Sequence, residues 1–144
     1  MPRPTPEQLQ EAKRRKAEER RQLEEQERIE REQDMARAKR IDALKDEHAQ
    51  LDSFVTGVYE ELSKLNVKWP NLPVSKLQLE QTNRAIRQLK EVMKDEQDEF
   101  VEDIHEFVPA GDLPEARDVV LVLRQIKQTL KRLENKYQRA WRGY

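Results

Sequence analysis

Two histidines, no cysteine and one carboxylate-rich stretch limit the chemistry that these 144 residues could carry. The most specific arrangement is Glu102-x-x-His105, a carboxylate and an imidazole one helical turn apart. That is half of the ligand set that bundle helices aim at a pair of metal ions. The other half requires a second Glu-x-x-His and two further carboxylates, but His48, the other histidine, has Lys45 three residues before it. His105 also stands beside the apolar position Ile104 rather than on it. The pair is therefore expected on a solvated acidic face. The chain has no His-Glu-x-x-His, no glycine-rich phosphate loop and no serine with a local base. Without cysteine there is no thiolate metal site, disulfide or thiol nucleophile. The expectation is a non-enzymatic protein with no catalytic residues, no cofactor, no metal and no small-molecule substrate.

Two basic clusters remain. Near the C-terminus Lys136, Tyr137, Arg139, Trp141, Arg142 and Tyr144 interleave cations with aromatic rings. This composition suits phosphate contact with base stacking, or an anionic membrane surface with the rings at headgroup level. The same residues also suit the end of a helix, where cations offset the macrodipole and rings cover a core. The second cluster, Lys13-Arg14-Arg15-Lys16, is flanked by Glu11, Glu18 and Glu19, as a solvated helix face would be. Both are candidate contacts for a protein partner or a nucleic acid. His48 falls on an apolar seam, where a core-edge histidine is the expected reading and a pH-sensitive group the alternative.

The elements that must position these residues read as helices throughout. Charged residues make up 40% and hydrophobic residues 35% of the chain, with only three glycines. Such a composition supports a thin core with solvated outer faces, as in a helical bundle. Residues 1–6 form a proline-rich tail, after which Thr5, Pro6 and Gln8 match a capping box with proline at the first helical position. From Glu7 to Glu47 the chain lacks Pro and Gly, and Glu11 with Arg15, Glu24 with Arg28 and Glu27 with Arg31 stand at favourable i,i+4 spacing. Counting back from Leu44 and Ile41, the seam positions Arg37, Asp34, Glu30, Glu27 and Leu23 are mostly charged. A single charged helix is expected here in preference to a coiled-coil strand or a disordered segment.

From Ile41 the pattern changes. Ile41, Leu44, His48, Leu51, Val55, Val58, Leu62 and Leu65 alternate steps of three and four. Asn66 reads as a stop, and in Trp69-Pro70-Asn71-Leu72-Pro73 the two prolines force an extended connection, with Trp69 and Leu72 as a cover folded over the bundle end. Ser75 and Gln78 open a second helix whose face runs through Ile86, Leu89 and Met93, crosses a polar gap at residues 94–99, and resumes at Phe100, Ile104 and Phe107. A kink in the gap is compatible with the pattern, and one helix is preserved if Gln97 takes a near-core place. Pro109 ends it. Asp112-Leu113-Pro114-Glu115 resembles another capping box, and Val119 to Leu133 carries the densest apolar face.

The fold expected is all-α: an antiparallel, coiled-coil-like three-helix bundle over residues 41–144, with helices at about 41–66, 75–107 and 113–141, and a charged N-terminal helical extension over residues 1–40. Residues 91–118 hold 11 acids and 2 bases, whereas residues 124–144 hold 7 bases and 1 acid. In an antiparallel hairpin those blocks would be offset, giving one acidic and one basic end. The function expected is a helical scaffold or adaptor subunit of a larger assembly, soluble and cytoplasmic, contacting other protein subunits or further copies of itself. The N-terminal helix would be its spacer or docking arm. The alternative is a nucleic-acid-binding accessory protein that uses the basic aromatic C-terminal end. No run is long enough to span a membrane.

Overall fold

A computed structural model describes residues 2–108 and 111–142. These residues are all-α: helices α1 (Pro6–Lys68), α2 (Lys76–Val92), α3 (Glu99–Glu102) and α4 (Ala116–Trp141) are joined by turns and extended segments, with no strand. Contacts divide the chain into two units, Met1–Arg40 and Ile41–Tyr144. No helix among the described residues is long and apolar enough to cross a membrane.

In the first unit the helix start matches the expected capping box. The Thr5 hydroxyl accepts from the Gln8 amide at 3.2 Å, and the Gln8 side chain accepts from the Thr5 amide at 3.0 Å. Residues 2–39 are all exposed, Leu9, Leu23, Ile29 and Met35 included. Arg28 pairs with Glu25 at 3.4 Å and with Glu32 at 3.7 Å. Exposed pairs of this kind contribute about 0.2–0.5 kcal/mol each. Straight-chain residues of high helix propensity carry the remainder.

The second unit holds the core. On α1 the seam Leu44, His48, Leu51, Val55, Val58 and Leu62 is buried. It meets Leu79, Ala85, Ile86, Leu89 and Val92 of α2 and Val119, Val120, Leu123, Ile126, Leu130 and Leu133 of α4 in one cluster. Two threonines are fully buried within it. Thr82 donates to the Gln78 carbonyl and Thr129 to the Gln125 carbonyl, both at 2.9 Å, so neither hydroxyl is left unsatisfied.

Helix directions differ from the expected antiparallel bundle, in which each helix would run opposite to the one before it. Gln78 of α2 reaches Glu61, and Arg84 lies over Phe54, so α2 runs antiparallel to α1. Trp141 of α4 reaches Ile41, Leu130 reaches His48, and Lys127 reaches Thr56, so α4 also runs antiparallel to α1. Hence α2 and α4 run parallel to each other. Residues 93–115 make the return journey between them. Glu96 and Asp98 lie beside Lys136 and Arg132 of α4, while Glu106 and Phe107 lie beside Arg87 and Asn83 of α2.

The return exists because the expected 75–107 helix stops at Val92. The polar stretch 94–99 has no apolar side chain to place on the α2 face, Gln97 is exposed, and the Lys94 and Glu96 amides close turns onto the Glu91 and Met93 carbonyls. Asp98 then caps the short α3, accepting from the Phe100 amide at 3.0 Å. With the register broken, Val101 and Ile104 are buried, whereas Phe100, expected in the core, lies outside under the Arg132 guanidinium. Pro109, the expected helix stop, falls outside the described residues.

Two further expectations are corrected at helix ends. Helix α1 runs past Asn66 to Lys68. Helix α4 begins at Ala116, and its N-cap Glu115 makes no side-chain cap; the Asp112 capping box does not form. The start is capped from a distance instead. The Ala116 amide donates to the Leu72 carbonyl at 2.8 Å and the Arg117 amide to the Pro70 carbonyl at 3.0 Å, while the Val74 amide donates to the Pro114 carbonyl at 3.0 Å. The α1–α2 turn thus supplies acceptors for amides that a helix start leaves open.

Candidate functional site

The basic aromatic end of α4 is built into the fold. The Trp141 indole Nε1 donates to the Ile41 carbonyl at 3.1 Å, and Lys45 Nζ donates to the Trp141 carbonyl at 2.9 Å. Its ring lies 5.1 Å from His48 and 5.8 Å from Tyr137, centroid to centroid. His48 is buried, with Nε2 2.8 Å from the Leu130 carbonyl. Tyr137 and Trp141 of α4 thereby join His48 of α1 to close the Ile41 end of the core with three stacked or tilted rings, each half-buried or buried.

Glu96 occupies the other side of this end. Its carboxylate, only 8% exposed, accepts from Lys136 Nζ and from the Tyr137 hydroxyl. The hydrogen bond to Glu96 raises the Lys136 ammonium above its ordinary value. Burial, followed by the hydrogen bond to Glu96, raises the Tyr137 phenol. Asp98, 12% exposed, holds Arg132 at 3.1 Å. Acidic and basic blocks therefore meet here instead of lying at opposite ends, a direct result of the parallel α2 and α4.

Lys136, Tyr137 and Trp141 are brought together, while Arg139 and Arg142 are exposed and Tyr144 lies outside the described residues. Lys13, Arg14, Arg15 and Lys16 are exposed in the first unit. Glu102 ends α3, so His105 does not follow it on a helix, and both are exposed. Among the described residues no group of three or more His, Asp or Glu side chains could hold a metal ion.

Two surfaces were not foreseen. A groove of about 520 Å³ between α1 and α4 is lined by His48, Asp52, Tyr59, Arg124, Lys127 and Lys131 among others. Lys127 sits 4.8 Å from the Tyr59 ring centroid, and hydrogen bonding to Arg124 pulls the Tyr59 phenol below its usual range. It is an open, mixed-charge trough.

The second surface is the α1–α2 turn. Trp69 and Leu72, expected to cover the core, are 59% and 44% exposed, and their neighbours Val67 and Leu77 are 84% and 62% exposed. Val74 alone turns inward from this stretch and is buried. The reason is the backbone pairing with α4: the carbonyls of Pro70 and Leu72 face the α4 start, which leaves the large side chains pointing away. The sequence signal was present in the prolines that follow Trp69 and Leu72, but the direction of these side chains depends on a partner segment more than 40 residues later. No protein-family model matches the chain, and no curated protein or solved structure matches it either.

Proposed function

We propose that the protein is a non-enzymatic helical interaction module of a larger protein assembly. In this reading residues 41–144 act as a three-helix bundle, built from the second part of α1 with α2 and α4, and serve as the folded anchor. Residues 1–40 are the docking arm. The observation that supports this reading is the burial contrast within α1. Residues 2–39 are helical from Pro6 onward yet wholly exposed, with four large apolar side chains uncovered, whereas from Leu44 to Leu62 every turn buries a residue. A helix with no buried face of its own suits a segment that binds elsewhere.

The test is quantitative affinity purification with three baits: the intact chain, a chain beginning at Ile41, and an intact chain carrying Leu9→Glu, Leu23→Glu and Ile29→Glu. The expected result is one set of protein partners recovered by the first bait and depleted with the other two. Equal recovery by all three would reject the docking arm. Salt-sensitive binding of an arbitrary duplex or single strand, lost on replacing Lys136, Arg139 and Arg142, would favour a nucleic-acid role instead.

A further inference from the structure

One face of the first unit carries its charges in a definite order. Lys13, Lys16 and Arg20 precede Leu23 at steps of three and four, and Glu27, Glu30 and Asp34 follow it at the same steps. At about 100° per residue all seven fall on one side of the helix. Three bases thus stand before a leucine and three acids after it. The bias extends to the whole stretch when every charge is counted: residues 13–21 hold six bases and two acids, and residues 24–34 hold six acids and two bases. Glu19 and Arg31, at the margins of the face, are the minority charges nearest to it. Each stands one turn from an opposite charge of its own helix, Glu19 three residues after Lys16 and Arg31 four after Glu27.

The chain does not use this face itself. All seven residues are exposed. Arg28, which pairs with Glu25 and Glu32, lies with them on the other side of the helix. None of the six charged side chains of the face has an ion-pair partner among the described residues. A continuous helix cannot fold its own basic block onto its acidic one. A second copy can, and in one orientation.

We infer that two copies of the protein pair through residues 13–34 of α1, antiparallel and related by a two-fold axis at Leu23. Lys16 lies seven residues before Leu23 and Glu30 seven after it. Arg20 and Glu27 lie three before and four after, and Lys13 and Asp34 ten before and eleven after. Each base therefore meets an acid of the other copy to within one residue, about 1.5 Å of helical rise. Two-fold symmetry makes every such pair occur twice. Parallel pairing in register would instead set base on base and acid on acid, which costs free energy. Leu23, the one apolar residue of the seven, meets its own copy at the axis, so the pairing is electrostatic and sensitive to salt. The inference rests on residues 1–40 acting as a docking arm, and it names what that arm meets.

The experiment is sedimentation equilibrium of the intact protein at two salt concentrations. The parent is expected to dimerise in about 50 mM salt and to bind its partner about tenfold or more weakly in about 500 mM. Lys13→Glu with Lys16→Glu and Arg20→Glu should abolish the dimer, because the face then carries one sign. Glu27→Lys with Glu30→Lys and Asp34→Lys should do the same. Both sets in one chain make the face self-complementary again and should restore the dimer. Orientation is read by cross-linking, since the chain has no cysteine of its own. Ala12→Cys and Gln33→Cys, which border the face on the same side, should link to each other when the two variants are mixed, and Ala12→Cys should not link to itself. All the altered positions are exposed, so the variants should keep the parent melting temperature. A parent that stays monomeric in low salt would overturn the inference. So would a dimer that survives either one-sided set, or Ala12→Cys linked to itself. If a monomeric parent still captured other proteins through residues 1–40, the docking arm would stand and its pairing with a second copy would fall.

Discussion

Glu96 shows how one side chain decides the character of a whole helix end. Lys136 and Tyr137 both hold their protons more tightly in the fold than in the unfolded chain. Their contribution to stability is therefore complete below about pH 10 and is lost as pH rises through the shifted values. Tyr59, whose phenol is lowered, acts with the opposite sign. Glu96→Gln removes the main cause of the Lys136 shift and part of that for Tyr137. Melting temperatures measured from about pH 9 to pH 11 should fall less steeply in Glu96→Gln than in the parent. Equal slopes would refute this account. Trp141 is the other decisive residue: Trp141→Ala should cost about 2 kcal/mol, less than a fully buried aromatic because the ring is only half-buried. Trp141→Phe should cost about 1 kcal/mol, chiefly through the lost bond to Ile41. Denaturant titration separates the two. The residue types at this end were legible as cations among aromatics. Their acceptors were not, because Glu96 and Ile41 lie 40 and 100 residues from their donors and nothing in local spacing encodes that meeting.

Among the elements, local signals were read correctly where the partner lies within one turn. The capping boxes at Thr5 and Ser75 form as the spacing implies. The α1 seam is buried from Leu44 to Leu62. Signals failed where a distant element competes. The start of α4 looked self-capped through Asp112, yet its open amides are taken by carbonyls of the α1–α2 turn. The polar gap at 94–99 preserved apolar spacing in number, but spacing without apolar side chains gives no face to continue, and the chain turned back instead. Asp98 fixes that reversal by capping α3 and holding Arg132. Asp98→Ala should destabilise the fold by about 1–2 kcal/mol, whereas Asp98→Asn, which retains a capping oxygen, should cost roughly half as much. Similar losses in chemical denaturation for both variants would show that the ion pair, not the cap, holds the turn.

For the whole molecule, the core lies entirely between Leu44 and Leu133, so removal of residues 1–40 should shift the melting temperature by no more than about 3 °C. The same change should remove helical circular dichroism without altering the denaturant dependence of the melt, since no buried surface is lost. A large change in that dependence would mean that the first unit is covered after all. The all-α class and the burial pattern of α1 were legible in composition and periodicity. Helix direction was not, since it depends on whether the chain between α2 and α4 is a short loop or a return path. That return path has a kinetic consequence. The α1 seam meets α2 across a separation of 17 residues at Glu61 and Gln78, but meets α4 across 82 at His48 and Leu130 and 100 at Ile41 and Trp141. Closing so long a loop is slow by the standards of helical proteins. During synthesis the first hairpin is complete while the other flank of the seam still waits for α4. Chaperone demand and aggregation should therefore peak in that interval, before the ribosome has released Trp141.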